Sequence, residues 1–168
     1  MKVAFVKKGA GRYAVEVGRE RYPDLWCGSI GYDDRLPHDL LHFVAEAEYG
    51  LDGGIFADLA TGGNARLFLP LDDEHEVDMQ LVTKLWRKQR IRRTRLPDGR
   101  RSEELARQLY QGWRAQTLEP RLQRKLDDIA ARWEALQVGT SLTLEWPRPE
   151  GRRRHPPLKR RRPATARR

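Results

Sequence analysis

Val3 and Phe5, and then Tyr13, Val15 and Val17, alternate with small or charged residues, the period-two pattern of half-buried strands. The glycine-bearing stretch from Lys7 to Arg12 predicts the turn between them, so the chain opens on a hairpin. From Tyr22 to Arg35, Pro23, Gly28, Gly31, Asp33 and Asp34 interrupt Leu25, Trp26 and Ile30, a mixture that reads as a loop tucked against the core by its aromatic. Pro37 suits a first helical position, and Asp39 in the first turn complements the positive end of the helix dipole. Leu40, Leu41, Val44 and Ala45 then make one apolar side as far as about Tyr49, where Gly50 fits a left-handed terminus. Asp52 is placed to cap a short second helix through Ile55, Phe56, Leu59 and Ala60, which Gly62 and Gly63 stop.

A helix is predicted behind Asp72, Asp73 and Glu74, with Val77, Leu81 and Leu85 on its stripe. Pro97-Asp98-Gly99 marks a turn, after which Leu105, Ala106, Leu109, Tyr110 and Trp113 form a helical face behind a Ser102 cap. The clearest periodicity is Leu118, Leu122, Leu126, Ile129, Trp133 and Leu136, a helix from about Thr117 to Gly139. Leu142, Leu144 and Trp146 alternate as a last strand that Pro147 ends. Strand, strand, helices, strand predicts an α+β fold: a small, mostly antiparallel sheet of the N-terminal hairpin plus the C-terminal strand, with four or five helices packed on one face. One globular domain over 1–146 is expected, with Trp86, Trp113, Trp133 and Trp146 in its core, followed by a disordered Arg/Pro-rich tail over 147–168 too poor in apolar side chains to order itself.

The 168 residues support one core. No stretch approaches the roughly 18–20 apolar residues of a membrane span, and the first residues lack the pattern of a signal peptide, so a cytoplasmic protein is expected. Cys27 is the only cysteine. That excludes an internal disulfide framework and any multi-cysteine metal knuckle, and the thiol reads as a small buried group tucked under Trp26.

Charge changes the picture once it is divided along the chain. The net charge is +9, yet Gly151 to Arg168 holds nine basic residues and no acid, so Met1 to Glu150 is neutral. Within that body, Met1 to Asp78 carries 15 acids against 8 bases, and Met79 to Glu150 carries 16 bases against 9 acids. Two basic sets stand out: Lys84, Arg87, Lys88, Arg90, Arg92, Arg93 and Arg95, and in the tail Arg152, Arg153, Arg154, Lys159, Arg160, Arg161 and Arg162. They predict salt-sensitive contact with polyanions, either nucleic acid or an acidic protein surface. Without zinc-finger spacing, an RRM signature or a helix-turn-helix, the expectation is a non-catalytic interaction protein binding without sequence preference.

An alternative rests on His38 and His42. At i and i+4 they project from one helix face, the spacing by which two imidazoles grip one zinc or iron ion. Glu46 is too far along the helix to join His38 on that ion, since eight residues rise about 12 Å. The third ligand is therefore expected from the Asp72-Asp73-Glu74-His75-Glu76 cluster, with His75 the donor, while Asp39 is placed to orient an imidazole from behind. A structural subunit that oligomerises through the helix from Leu118 to Leu136 is a further alternative. Gly9-Ala10-Gly11-Arg12-Tyr13-Ala14 has the glycine spacing of a dinucleotide fingerprint but leads into a strand where that fingerprint needs a helix, and Ser29, Ser102 and Ser141 lack a nucleophile elbow.

The segments Leu36-Pro37-His38-Asp39-Leu40-Leu41-His42-Phe43-Val44, Gly54 to Gly63 and Val138 to Trp146 resemble a family of small bacterial proteins to which no activity is attached. His38-Asp39-Leu40-Leu41-His42 is also similar to the start of the metal motif of certain ubiquinone-biosynthesis proteins, a resemblance that implies a bound metal. In that pattern a glutamate follows the second histidine by twelve positions, where this chain has Gly54.

Overall fold

The computed structural model describes residues 1–30, 35–65, 68–71 and 95–148. The helix expected behind Asp72, with His75, Trp86 and the basic set from Lys84 to Arg93, lies outside the described residues, as does the tail from residue 149.

The alternating apolar residues build the predicted hairpin, β1 (Lys2–Gly9) and β2 (Arg12–Gly18). Val3 stands opposite Val17 and Phe5 opposite Val15. On the other edge of β1 runs β5 (Ser141–Glu145), with Leu144 opposite Val3 and Leu142 opposite Phe5, so three strands put one apolar row on one face. The segment expected to be a loop contains a further strand, β3 (Leu25–Ile30), paired with β2 so that Leu25 and Cys27 extend the rows of Val17 and Val15. A two-residue β4 (Leu69–Pro70) pairs with β3, and the sheet order is β4-β3-β2-β1-β5, antiparallel throughout. Cys27 is buried on the inner face, whereas its neighbour Trp26 points to the opposite one, so the thiol does not sit under that ring.

Four helices stand among the described residues: α1 (His38–Glu48), α2 (Ile55–Ala60), α3 (Gly99–Ala115) and α4 (Pro120–Glu134). Their buried stripes cover the inner face of the sheet in one core, which makes this a small α+β fold. None of these helices is long and apolar enough to cross a membrane. α1 ends as expected at Gly50, whose φ of +65° is costly for other residues. α2 is keyed into the core by Phe56, whose ring lies 5.1 Å from Phe43 and 6.0 Å from Trp146 between centroids.

α4 begins on a proline behind Glu119, whose carboxylate accepts from the N–H groups of Arg121 and Leu122. Its far end is closed from β1: the Lys7 ammonium donates to the carbonyls of Trp133, Glu134 and Leu136 at 3.0–3.3 Å, where the dipole favours a cation. Arg148, the second residue of the expected tail, is fastened to the end of α1, donating to Leu51 O at 2.7 Å and to Asp52 Oδ1 at 2.7 Å.

Glu48, at the end of α1, receives Lys125 Nζ at 2.6 Å and the Arg121 guanidinium from α4. Burial pushes its carboxyl up, but hydrogen bonds and charge from Lys125 and Arg121 more than reverse this, leaving it below the ordinary 4.5. A lowered folded-state value stabilises fully above the unfolded value and is lost as pH falls through the folded one. The stability gap between the wild type and Glu48→Gln is therefore expected to be constant well above the ordinary carboxylate value and to close as the pH is taken below it, as read by urea unfolding across an acid pH series.

Candidate metal centre

α1 packs along α3, and their contact face holds polar residues where an apolar pair of helices would hold leucines. His38 and His42 project together as the i, i+4 spacing requires, their rings 4.6 Å apart. Opposite them α3 presents Glu103. Its Oε2 lies 3.3 Å from His42 Nε2 and its Oε1 3.8 Å from His38 Nε2. Each of the three offers one ligand atom such that all lie within 4.8 Å of one another. Tetrahedral zinc with ligands at about 2.1 Å separates them by roughly 3.4 Å, so the donors stand close to the spacing that an ion would impose. His38 is 8% exposed and His42 2%, while the side chain of Glu103 keeps 23%, so the group is reached from the Glu103 side.

Behind His42 stands a second layer. Its Nδ1 lies 2.7 Å from Ser102 Oγ, and Ser102 in turn donates to Glu46 Oε1 at 2.7 Å. Glu46 also accepts from the backbone N–H groups of Ile55 (2.7 Å), Phe56 (2.8 Å) and Ala57 (3.4 Å), which open α2. Ser102 and Glu46 are fully buried. Burial pushes the Glu46 carboxyl above its usual range, and the Ser102 hydroxyl, the His42 ring and the N–H groups of Ile55 and Phe56 pull it only part of the way back, so it stays raised. Its oxygens accept from three backbone N–H groups, and the Ser102 hydroxyl completes the set.

Two capping expectations change here. Asp52 does not cap α2, whose N-cap is Gly54 with no side-chain bond of its own; the carboxylate serving that end is Glu46, one helix earlier. Ser102 does not cap α3, because the helix starts at Gly99 and leaves Ser102 in its first turn, facing α1. The hydroxyl is no nucleophile either: it is buried, and its one proton is engaged by Glu46.

Of the residues expected at the site, His38 and His42 come together, His75 lies outside the described residues, and Asp39 turns to β2. The Asp39 carboxylate accepts from the Tyr13 hydroxyl at 3.1 Å, and that oxygen accepts from the Asp39 N–H at 2.9 Å, which pins the first turn of α1 to the sheet. Glu46 stands outside the cluster of His38, His42 and Glu103. The carboxylate beside the pair is Glu103 of α3, not a residue of the cluster from Asp72 to Glu76 where the third ligand is expected. A signal for it does exist: Glu103 stands three residues before Ala106 and seven before Tyr110, so a carboxylate continues the inward stripe of α3. At Gly54 an added Cβ would lie 2.2 Å from Glu46 Cδ. A larger residue there would have to displace the Glu46 carboxylate, and the carboxylate of the cluster comes from α3.

Of the two basic sets, Arg95 alone is described, exposed in the turn that leads to α3. A cleft of about 220 Å³ opens beside the hairpin turn, lined by Lys7, Arg12, Tyr13, Pro37, Trp133 and Val138; it does not include the histidine pair. Comparison with family models, with curated proteins and with solved structures finds no match.

Proposed function

We propose that this protein binds a divalent transition-metal ion, zinc or ferrous iron, between α1 and α3 through His38, His42 and Glu103. The observation that carries the reading is the convergence of two imidazole nitrogens and a carboxylate, from elements far apart in sequence, within 4.8 Å inside a folded core. Two histidines and one carboxylate are the donor set of zinc hydrolases and of non-haem ferrous enzymes alike. Three donors among the described residues are one fewer than a closed structural zinc site uses, which leaves a position for water or substrate on the Glu103 side. Such an ion would supply a Lewis acid or an activated water there. His42 and His38 would hold it from the buried side and Glu103 from the open side, lowering the net charge of the cluster.

Protein purified without a histidine tag is expected to carry or take up a stoichiometric transition ion, measured by elemental analysis after gel filtration, and His42→Ala is expected to abolish it. Wild-type protein that holds no such ion after incubation with zinc or, without oxygen, ferrous iron would remove the reading. The charge partition of the sequence supports a second, separate property, loose contact of the Arg152 to Arg162 region with polyanions. Its mark would be binding that weakens steeply with salt.

A further inference from the structure

We propose that Ser102 and Glu46 are a positioning pair that fixes the tautomer of His42 and ties the ion site to the first turn of α2, so that filling the site tightens the joint between α1 and α2. Coupling to an ion presupposes the site proposed above; the tautomer does not.

Counting protons sets the direction of the chain of bonds. A serine hydroxyl has one proton to give and lone pairs to receive with. With Glu46 as a carboxylate, which has none to give, the Ser102 proton lies toward Glu46 Oε1 at 2.7 Å. The short contact of 2.7 Å between His42 and Ser102 then requires the imidazole to donate from Nδ1. A neutral imidazole that carries its proton on Nδ1 has its lone pair on Nε2. That nitrogen is buried, makes no hydrogen bond among the described residues, and stands 3.3 Å from Glu103 Oε2. The pair therefore holds His42 in the tautomer that ligation from Nε2 needs, before any ion arrives.

The other end of the chain of bonds is the α1–α2 joint. Glu46 can reach the N–H groups of Ile55 and Phe56 only because Gly54 leaves the space empty. The same joint is latched to α3 by a reciprocal pair, Gly53 N–H to Asp98 Oδ2 at 2.7 Å and Asp98 N–H to Gly53 O at 3.0 Å. An ion that draws on Nε2 makes Nδ1–H a stronger donor, which tightens Ser102 and Glu46 in turn. By reciprocity, whatever loosens the first turn of α2 weakens the ion.

Three measurements on the full chain test this. In ion-free protein labelled with ¹⁵N-histidine, long-range correlation spectra should show the His42 proton on Nδ1, and Ser102→Ala should lose that preference. In zinc titrations against a chromophoric competitor, Ser102→Ala should bind about 10- to 100-fold more weakly, whereas Ser102→Thr, which keeps the hydroxyl, should stay within a few-fold of wild type. Zinc should slow amide exchange at Ile55 and Phe56 in the wild type but not in Ser102→Ala. A proton on Nε2 in the wild type overturns the positioning role; zinc affinity indifferent to Ser102→Ala, or exchange at Ile55 and Phe56 indifferent to zinc, overturns the coupling. Failure of the wild type to take up zinc at all overturns the ion site and the coupling together, while the spectra still decide the role of the pair in setting the tautomer.

Discussion

Glu46→Ala is expected to destabilise the ion-free protein by about 4 kcal/mol, a large part of what a domain of this size commonly has. Three buried donors at 2.7–2.8 Å, the Ser102 hydroxyl and the N–H groups of Ile55 and Phe56, lose their acceptor together. Each orphaned donor costs roughly 1–3 kcal/mol, and the release of a desolvated carboxylate offsets part of the sum. Gly54→Ala should reproduce much of the loss with Glu46 in place, because the new methyl group and the carboxylate compete for one volume. The two changes should then be far from additive: in the double variant the alanine at position 54 has no carboxylate to collide with, so its own cost nearly vanishes. Urea unfolding of the four proteins measures the cycle, and additive losses would show that the close approach at Gly54 is relaxed at no expense.

Zinc should have the second large effect. An ion that binds the folded chain and not the unfolded one raises stability by about 2.7 kcal/mol when its free concentration is a hundred times Kd. That gain should disappear in His42→Ala. It should also be much reduced in Glu103→Gln, which keeps the volume of the side chain but replaces the anionic donor with a weak neutral one, a heavier loss than the roughly 10- to 100-fold that an outer-layer partner commands. Thermal unfolding with and without zinc, at one fixed protein concentration, reads both. A rise in stability that survives His42→Ala would place the ion elsewhere.

The parts of this fold that can be read from sequence are those with one wet face and one dry face. β1, β2 and β5 alternate because their outward residues, Val6 excepted, are small, polar or charged, and α4 shows its stripe because a polar face lies opposite Leu122, Leu126, Ile129 and Trp133. β3 escapes this logic. Its inward residues beyond Leu25 are Cys27 and Ser29, small side chains that carry little hydrophobic signal, and Gly28 between them reads as a breaker. The histidine pair is visible because its geometry is local to one helix. The rest of the site is not, since Ser102 lies 60 residues from His42 and 56 from Glu46, and only the packing of α1 on α3 converts those separations into contacts. The cap of α2 is hidden from the sequence for a related reason: a helix end accepts a carboxylate from any direction, and proximity in sequence favours Asp52 where proximity in space favours Glu46.

The place of β1 in the sheet has a bearing on how the chain is made. It lies between β2 and β5, and β5 touches the sheet only through it, Lys2 pairing with Glu145 and Val6 with Ser141. As the polypeptide leaves the ribosome, β1 can pair with β2 at once, but its other edge stays open until nearly all of the domain has been synthesised. An open edge of apolar sequence is a template for adhesion to other chains, and closing so distant a pairing is intrinsically slow. The nascent protein is therefore most vulnerable to self-association in the interval before residues 141–145 emerge and seal that edge.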